Sequence, residues 1–307
     1  MRLKQLILCA LALVLAVALH APAAFALTKM SVAYVPAIDF LPAFIAKEQG
    51  LFEKNGLDVT LKPIVVASNI PSAMTAGDVQ IGLGTGPNMM MANEGGLDLV
   101  AVYGLTRDTK SNPIVGLIVR KSSGIKTAAD LVGKKIAVPG LNSVIHIFTM
   151  KWLATNGVDP NKVTFVELPM PQLGSVLKGG LVDAIAVIEP FRGNILRDPE
   201  STLVANIASD LRDNMMMGYW QSLRNWAQAN PDAIKAFRAS LDQALAFVQQ
   251  NPEEAKKIAA KYLPVLPPRF PTWDFKQTTD DFQYQADIAR ELGLLKKPVD
   301  VGALIWK

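Results

Sequence analysis

The chain has 307 residues, half of them hydrophobic and 19% charged, with a formal charge of +4, one cysteine and two histidines. So small a charge leaves no electrostatic footprint for nucleic acid. One cysteine excludes a disulfide framework, and the absence of an H-E-x-x-H motif argues against a zinc enzyme.

The first element is a targeting segment. Arg2 and Lys4 precede an apolar run over residues 6–19, and Ala24-Phe25-Ala26 follows as an A-x-A site. The pattern reads as a secretory signal peptide cut after Ala26, so the mature chain is expected in the periplasm. A membrane anchor would need ~20 apolar residues, and a lipoprotein would need Cys9 at the end of the run rather than inside it. Cleavage removes Cys9, His20, Arg2 and Lys4, leaving His146 as the one histidine, no cysteine and a formal charge of +2.

In the mature chain, residues 29–35 read as a strand. Residues 41–52 follow as one helix, with Leu41, Phe44, Ile45 and Leu51 near 3.6-residue spacing. A strand over 57–64, a short helix over 68–76 ended by Gly77, and a strand over 79–84 come next. Pro87 opens a helix, where a first-turn proline is favoured, and 97–104 is a fourth strand. The order then recurs: strand 135–138, helix 143–156, strand 163–167, helix 173–178, strand 182–188. A shift of 103 residues carries Val35-Pro36 onto Val138-Pro139, Gly77 onto Gly180, Val79 onto Val182 and Pro87 onto Pro190. Two similar α/β lobes with mostly parallel sheets are expected. Beyond Tyr219 the chain turns helical. Asn230-Pro231 and Asn251-Pro252 introduce two amphipathic helices, the 263–273 stretch is a proline-rich loop, and 275–292 is a last helix with Gly293 as its cap.

The run "QIGLGTGPNMMM" over 80–91 is not a nucleotide loop. Its glycines, 82, 84 and 86, lack G-x-G-x-x-G spacing, and no Lys-Ser/Thr pair follows. Its reading is a close backbone approach to a ligand, with Thr85, Gly86 and Asn88 supplying contacts at a helix start; a tight packed turn is the alternative. In open α/β sheets ligands sit beyond the carboxyl ends of strands. Four loops qualify: 37–41, 85–88, 140–143 and 189–191. The 103-residue shift pairs Asp39 with Asn142 and Thr85 with Ile188, so two facing lobes would line one cleft from both sides.

The stretches "FLPAFIAKEQGLFEKNGLDVTL", "AADLVGKKIAVPG" and "GLVDAIAVIEPF" resemble the nitrate/sulfonate/taurine-type periplasmic substrate-binding proteins of ABC importers. That fold family also includes binders of thiamine-pyrimidine precursors. The resemblance covers nearly the whole mature chain. It implies a two-lobed α/β fold of the type II, Venus-flytrap kind with two crossovers. Lobe 1 would hold residues 27–117 plus 220–307 and lobe 2 residues 118–219, with crossings near 114–119 and 215–219. It also implies a small-molecule ligand, an ABC permease at the inner membrane as partner, a monomer, and no cofactor or metal. Sulfonate-taking members tend to have Ser/Thr-rich turns at the second-lobe helix start. Here that turn is Gly140-Leu141-Asn142-Ser143, a departure that disfavours sulfonate or nitrate.

Single residues carry competing readings. Glu189 either pairs with a ligand N–H or serves as an interlobe or helix-cap carboxylate with Arg192 as its salt-bridge partner. Asp39 is read foremost as the N-cap of the helix near Leu41, with a ligand hydrogen bond as the alternative. Asn142 and Ser143 precede a helix and can cap it, bind ligand or both. His146 is expected to be packed or exposed rather than a ligand contact. Met215, with Met216, Met217, Tyr219 and Trp220, reads as buried strand; with Phe40 and residues 89–91 it can form an apolar wall. Arg107 and Lys110 are the cations nearest these loops. The expected function is a periplasmic receptor for a nitrogen- or carboxylate-bearing organic molecule. An alkanesulfonate, taurine or nitrate receptor is the first alternative and an enzyme acting on a pyrimidine the second. An enzyme would need a nucleophile or acid–base pair, and the loops offer none.

Overall fold

The computed structural model describes residues 26–307. The signal-peptide reading rests almost wholly on residues 1–25, with Cys9 and His20, and these lie outside the described residues. Among the described residues no helix is long and apolar enough to cross a membrane.

Two sheets share one plan. In the first, β1 (Thr28–Tyr34) pairs parallel with β2 (Leu57–Pro63), Val32 bridges in parallel to Ile81, and β3 (Gly82–Gly84) continues from that bridge. The next strand, β12 (Tyr219–Leu223), runs antiparallel to both β3 and β4 (Leu99–Gly104), so the order is β2-β1-β3-β12-β4. The second sheet has the order β10-β6-β9-β7-β8, from β6 (Val115–Arg120), β7 (Lys135–Val138), β8 (Thr164–Glu167), β9 (Ala184–Ile188) and β10 (Ser201–Ala205). Here too three parallel strands are followed by an antiparallel strand contributed by a crossover. Gly84 pairs with Tyr219 in one sheet and Gly116 with Val187 in the other, so the 103-residue shift preserves the register. Strand β9, "AIAVI", is buried at every residue, as a strand covered on both faces must be.

Helices cover both sheets. In the first lobe these are α1 (Leu41–Glu48), α2 (Leu51–Lys54), α3 (Ile70–Thr75) and α4 (Gly86–Glu94). In the second they are α5 (Val144–Thr155), α6 (Met170–Lys178), α7 (Phe191–Ile195) and α8 (Ile207–Leu211). The single helix expected over 41–52 is two, because Gly50 adopts φ +63° between them. Back in the first lobe come α9 (Arg224–Ala229), α10 (Pro231–Gln250), α11 (Pro252–Tyr262) and α12 (Thr279–Glu291). Helices α10 and α11 each begin at an Asn-Pro pair, and Gly293 turns the chain after α12 with φ +71°.

The crossovers form a small sheet of their own, which the sequence reading left as loop. β5 (Thr106–Asp108) pairs antiparallel with β11 (Met215–Met216) on one side and β13 (Thr272–Trp273) on the other. The expected boundary between residues 117 and 118 therefore falls inside β6, and the crossings themselves are β5 and β11 with their flanking turns. Arg107 anchors this hinge, as its guanidinium makes a bidentate bond to Asp281 at 2.9 Å and a third to Asp274 at 2.6 Å.

One glycine closes the first lobe onto the hinge. A Cβ on Gly104 would lie 2.6 Å from the Asp274 carbonyl oxygen and 2.8 Å from the Phe275 carbonyl carbon. Gly104→Ala should destabilise the protein by about 1–3 kcal/mol, since backbone on both sides must shift. A chemical-denaturation midpoint equal to that of the parent chain would refute that close packing.

Candidate ligand cleft between the lobes

The carboxyl ends of β1, β3, β7 and β9 converge on a cavity between the lobes with a base at β5. Four of its lining pairs are related by the 103-residue shift: Ala37 and Gly140, Phe40 and Ser143, Ala67 and Met170, Thr85 and Ile188. The cleft is thus built from equivalent positions of two similar lobes. Its enclosed volume is about 50 Å³, room for roughly four water molecules. The wall is otherwise apolar, with Val35, Leu83, Leu105, Pro139, Val144 and Met217 prominent.

Polar groups in the wall are few. Asp39 is 4% exposed and, among the described residues, is the only ionisable one lining the cavity. It lies in a single 3-10 turn, Ile38–Phe40, and its side chain caps no helix. The Thr106 hydroxyl of β5 donates to its carboxylate, and the Trp273 indole N–H of β13 donates to its backbone oxygen at 2.9 Å. Burial pushes the Asp39 carboxyl up to about 6; the Thr106 hydrogen bond opposes this, and the nearby charge of Glu189 adds to it. The Thr85 hydroxyl is buried with no hydrogen-bond partner among the described residues, which leaves it for a ligand. The Ser143 hydroxyl accepts the His146 N–H at 3.4 Å as the N-cap of α5.

The glycine run resolves by parity. A Cβ on Gly82 would meet Ile70 at 2.7 Å, while Gly84 abuts Gln221 and Gly86 abuts Gln285. All three glycines serve packing within their own lobe. The odd-numbered residues between them, Leu83 and Thr85, face the cavity. The period of two along β3 was the available signal, since alternate residues of a strand face opposite sides.

Of the sequence-derived candidates, the structure brings Asp39, Phe40, Thr85 and Ser143 together in the cavity wall. Five others lie outside it. Gly86 packs on Gln285, and Asn88 sits on α4 with its Oδ1 buried and unpartnered. Asn142 takes φ +59°, a conformation asparagine tolerates, and donates its backbone N–H to His146 Nδ1 at 2.9 Å. Glu189 accepts the Gly193 N–H at 2.9 Å and an Arg192 N–H at 3.4 Å, so it caps α7 as an ion-paired carboxylate. Met215 is held in β11, and its neighbour Met217 lines the cavity instead. Asp39 departs from its foremost reading, being a cavity carboxylate rather than an N-cap. His146 is buried against Phe165, and desolvation pushes it down to about 4, so it is neutral. Arg107 faces the acids of the hinge, not the cavity. Among the lining residues missed were Thr106, in a strand only three residues long, and Leu105 just before it.

Two polar contacts span the cleft edges. Ser68 donates to Glu167 at 3.4 Å, and Lys151 meets Glu291 at 2.6 Å between α5 and α12. Both are at the surface, where each is worth under about 1 kcal/mol.

The family described as NMT1/THI5 like matches residues 37–255. The nitrate/nitrite binding protein NrtA of Nostoc sp. PCC 7120 is 24% identical over 260 residues, 76% of this chain and 57% of that protein. The chain therefore spans little more than half the length of that relative. The riboflavin-binding protein RibY of Chloroflexus aurantiacus is 24% identical over 298 residues, 89% of this chain and 82% of that one. Among solved structures, the alkanesulfonate-binding protein SsuA of Xanthomonas axonopodis pv. citri, bound to MOPS, superposes with a TM-score of 0.77. It is 22% identical and covers 91% of this chain and 98% of its own. The fold is the two-lobed periplasmic-binding-protein fold.

Proposed function

Because the chain belongs to the NMT1/THI5-like family and is similar to a nitrate/nitrite binding protein and an alkanesulfonate-binding protein, we propose that it is the receptor of an ABC importer. It captures a small organic molecule between its lobes in the periplasm and delivers it to a membrane permease. The observation that carries this reading is the cavity itself, lined in offset pairs by both lobes, with the crossover strand β5 as its base. A ligand touching both walls favours the closed form by its differential affinity for it. An enzyme on this scaffold would need an acid–base or nucleophilic pair in the cavity, and Asp39 has no such partner there. A sulfonate or nitrate ligand, suggested by the names of relatives, would find no lysine, arginine or charged histidine in the wall.

Residues 27–307 should show one ligand class that raises the thermal midpoint by several degrees and lowers the radius of gyration. A ligand at about 100 times its Kd adds about 2.7 kcal/mol. Recovery of the bound molecule chemically altered after incubation would overturn the receptor reading in favour of the enzymatic one.

A further inference from the structure

We infer that the ligand is a small organic cation, a protonated amine or amidine on an apolar body, whose N–H groups bond the Asp39 carboxylate. This rests on the receptor reading. A buried carboxylate is costly unless paired, and among the described residues none lining the cavity supplies a charged partner. Thr106 supplies one neutral hydrogen bond, and among the described residues no cation lines the cavity. Arg107, next to Thr106 in β5, and Arg192, which pairs with Glu189, are committed elsewhere: Arg192 to Glu189 and Asn206, Arg107 to Asp274 and Asp281. Glu189 adds its own negative charge nearby without entering the cavity. A negatively charged ligand would meet a carboxylate at close range in a weakly polar site, where repulsion is poorly screened. A cation would meet the only charge in the wall, and its charge-assisted hydrogen bond is of the strong kind.

The remaining wall sets the other half of the ligand. Phe40, Leu83, Ile188 and Met217 offer nothing to a second charge, and the unpartnered Thr85 hydroxyl can meet one neutral polar atom. That combination selects an ammonium or amidinium group over a highly polar molecule with several charged ends.

The test compares three probe sets on residues 27–307: isobutylamine, benzylamine and acetamidine; isobutanol and benzyl alcohol; methanesulfonate and nitrate. Thermal shift and calorimetric titration are run on the parent chain and on Asp39→Asn. The expected result is stabilisation by at least one cation, none by its matched alcohol, and at least a 100-fold loss of affinity in Asp39→Asn. Cation affinity in the parent chain should also fall about tenfold per pH unit below pH 6, as Asp39 takes up its proton. The groups facing Asp39 from the packed elements are Thr106, Trp273 and Glu189, and the Asp39→Asn control isolates its own titration. Stabilisation by methanesulfonate or nitrate with the cations inert would overturn the inference and leave the receptor reading standing. Equal cation affinity in both proteins would overturn it as well. Silence to every probe, with no small molecule released on denaturing the purified protein, would overturn both.

Discussion

Replacing Arg107 with methionine should cost about 3–5 kcal/mol, the usual penalty for removing one partner of a buried ion pair. Arg107 and Asp281 have side chains only 6% and 5% exposed, and methionine leaves the Asp281 carboxylate stranded. The guanidinium also carries the Asn214 carbonyl at 3.0 Å, so the loss spreads to the second crossover. For a chain of this size the midpoint should drop by roughly 10 °C, at about 2–4 °C per kcal/mol. Adding Asp281→Asn to Arg107→Met should return much of the loss, because the stranded charge is gone. The pH dependence follows from Asp281, whose carboxyl is held below its ordinary value by the Arg107 hydrogen bonds against the opposing cost of burial. A depressed carboxyl contributes stability above its unfolded value and loses it as the pH falls through the folded one. The gap between parent and variant should therefore narrow below about pH 4. A single substitution costing under about 1 kcal/mol at neutral pH would mean that β5 is not fastened to α12 by this pair.

The same arginine shows where the sequence was legible and where it was not. Strands and helices of the repeated βα order were readable because each carries its own period, and the 103-residue shift survives even in strand register. Gly50 was less readable: apolar spacing runs through it, while a left-handed φ cuts the helix. The hinge strands escaped notice because two- and three-residue strands have no period at all. Their pairing is fixed by tertiary contact, as between Met216 and Arg107. Loops at strand ends do supply part of the cavity wall, and Asp39, Phe40, Thr85 and Ser143, named from topology, are among its lining residues. Side-chain direction within those loops could not. Glu189 and Asn142 sit beside the cavity yet serve local bonds: the Glu189 carboxylate takes the Gly193 N–H, and the Asn142 backbone N–H is taken by His146 Nδ1. Asp39 goes the other way, because the N–H groups of α1 lie beyond a separate 3-10 turn.

Asp39→Asn should make the empty protein more stable while impairing its function. Burial raises the Asp39 carboxyl from 3.8 to about 6, and such a shift is worth about 3 kcal/mol at 1.36 kcal/mol per unit. The sign is opposite to that of Asp281. An acid with a raised folded value binds more protons in the folded state between pH 4 and 6, so its contribution falls as the pH rises through that window. Above about pH 6 the folded protein carries the full cost of a buried charge with one hydroxyl donor. Asparagine keeps the shape and can still accept from Thr106 but has no charge to bury. The variant should gain about 2–3 kcal/mol at pH 7.5 and almost nothing at pH 4, read as urea midpoints at both values. Strain of this kind persists at sites where binding needs it, and a cationic ligand relieves it by completing the pair. Parent chain saturated with such a ligand should then match or exceed the variant in stability. If Asp39→Asn instead destabilises the empty protein equally at both pH values, Asp39 is a structural tie between β1 and the hinge. The cleft must then draw its ligand by its apolar wall and the Thr85 hydroxyl alone.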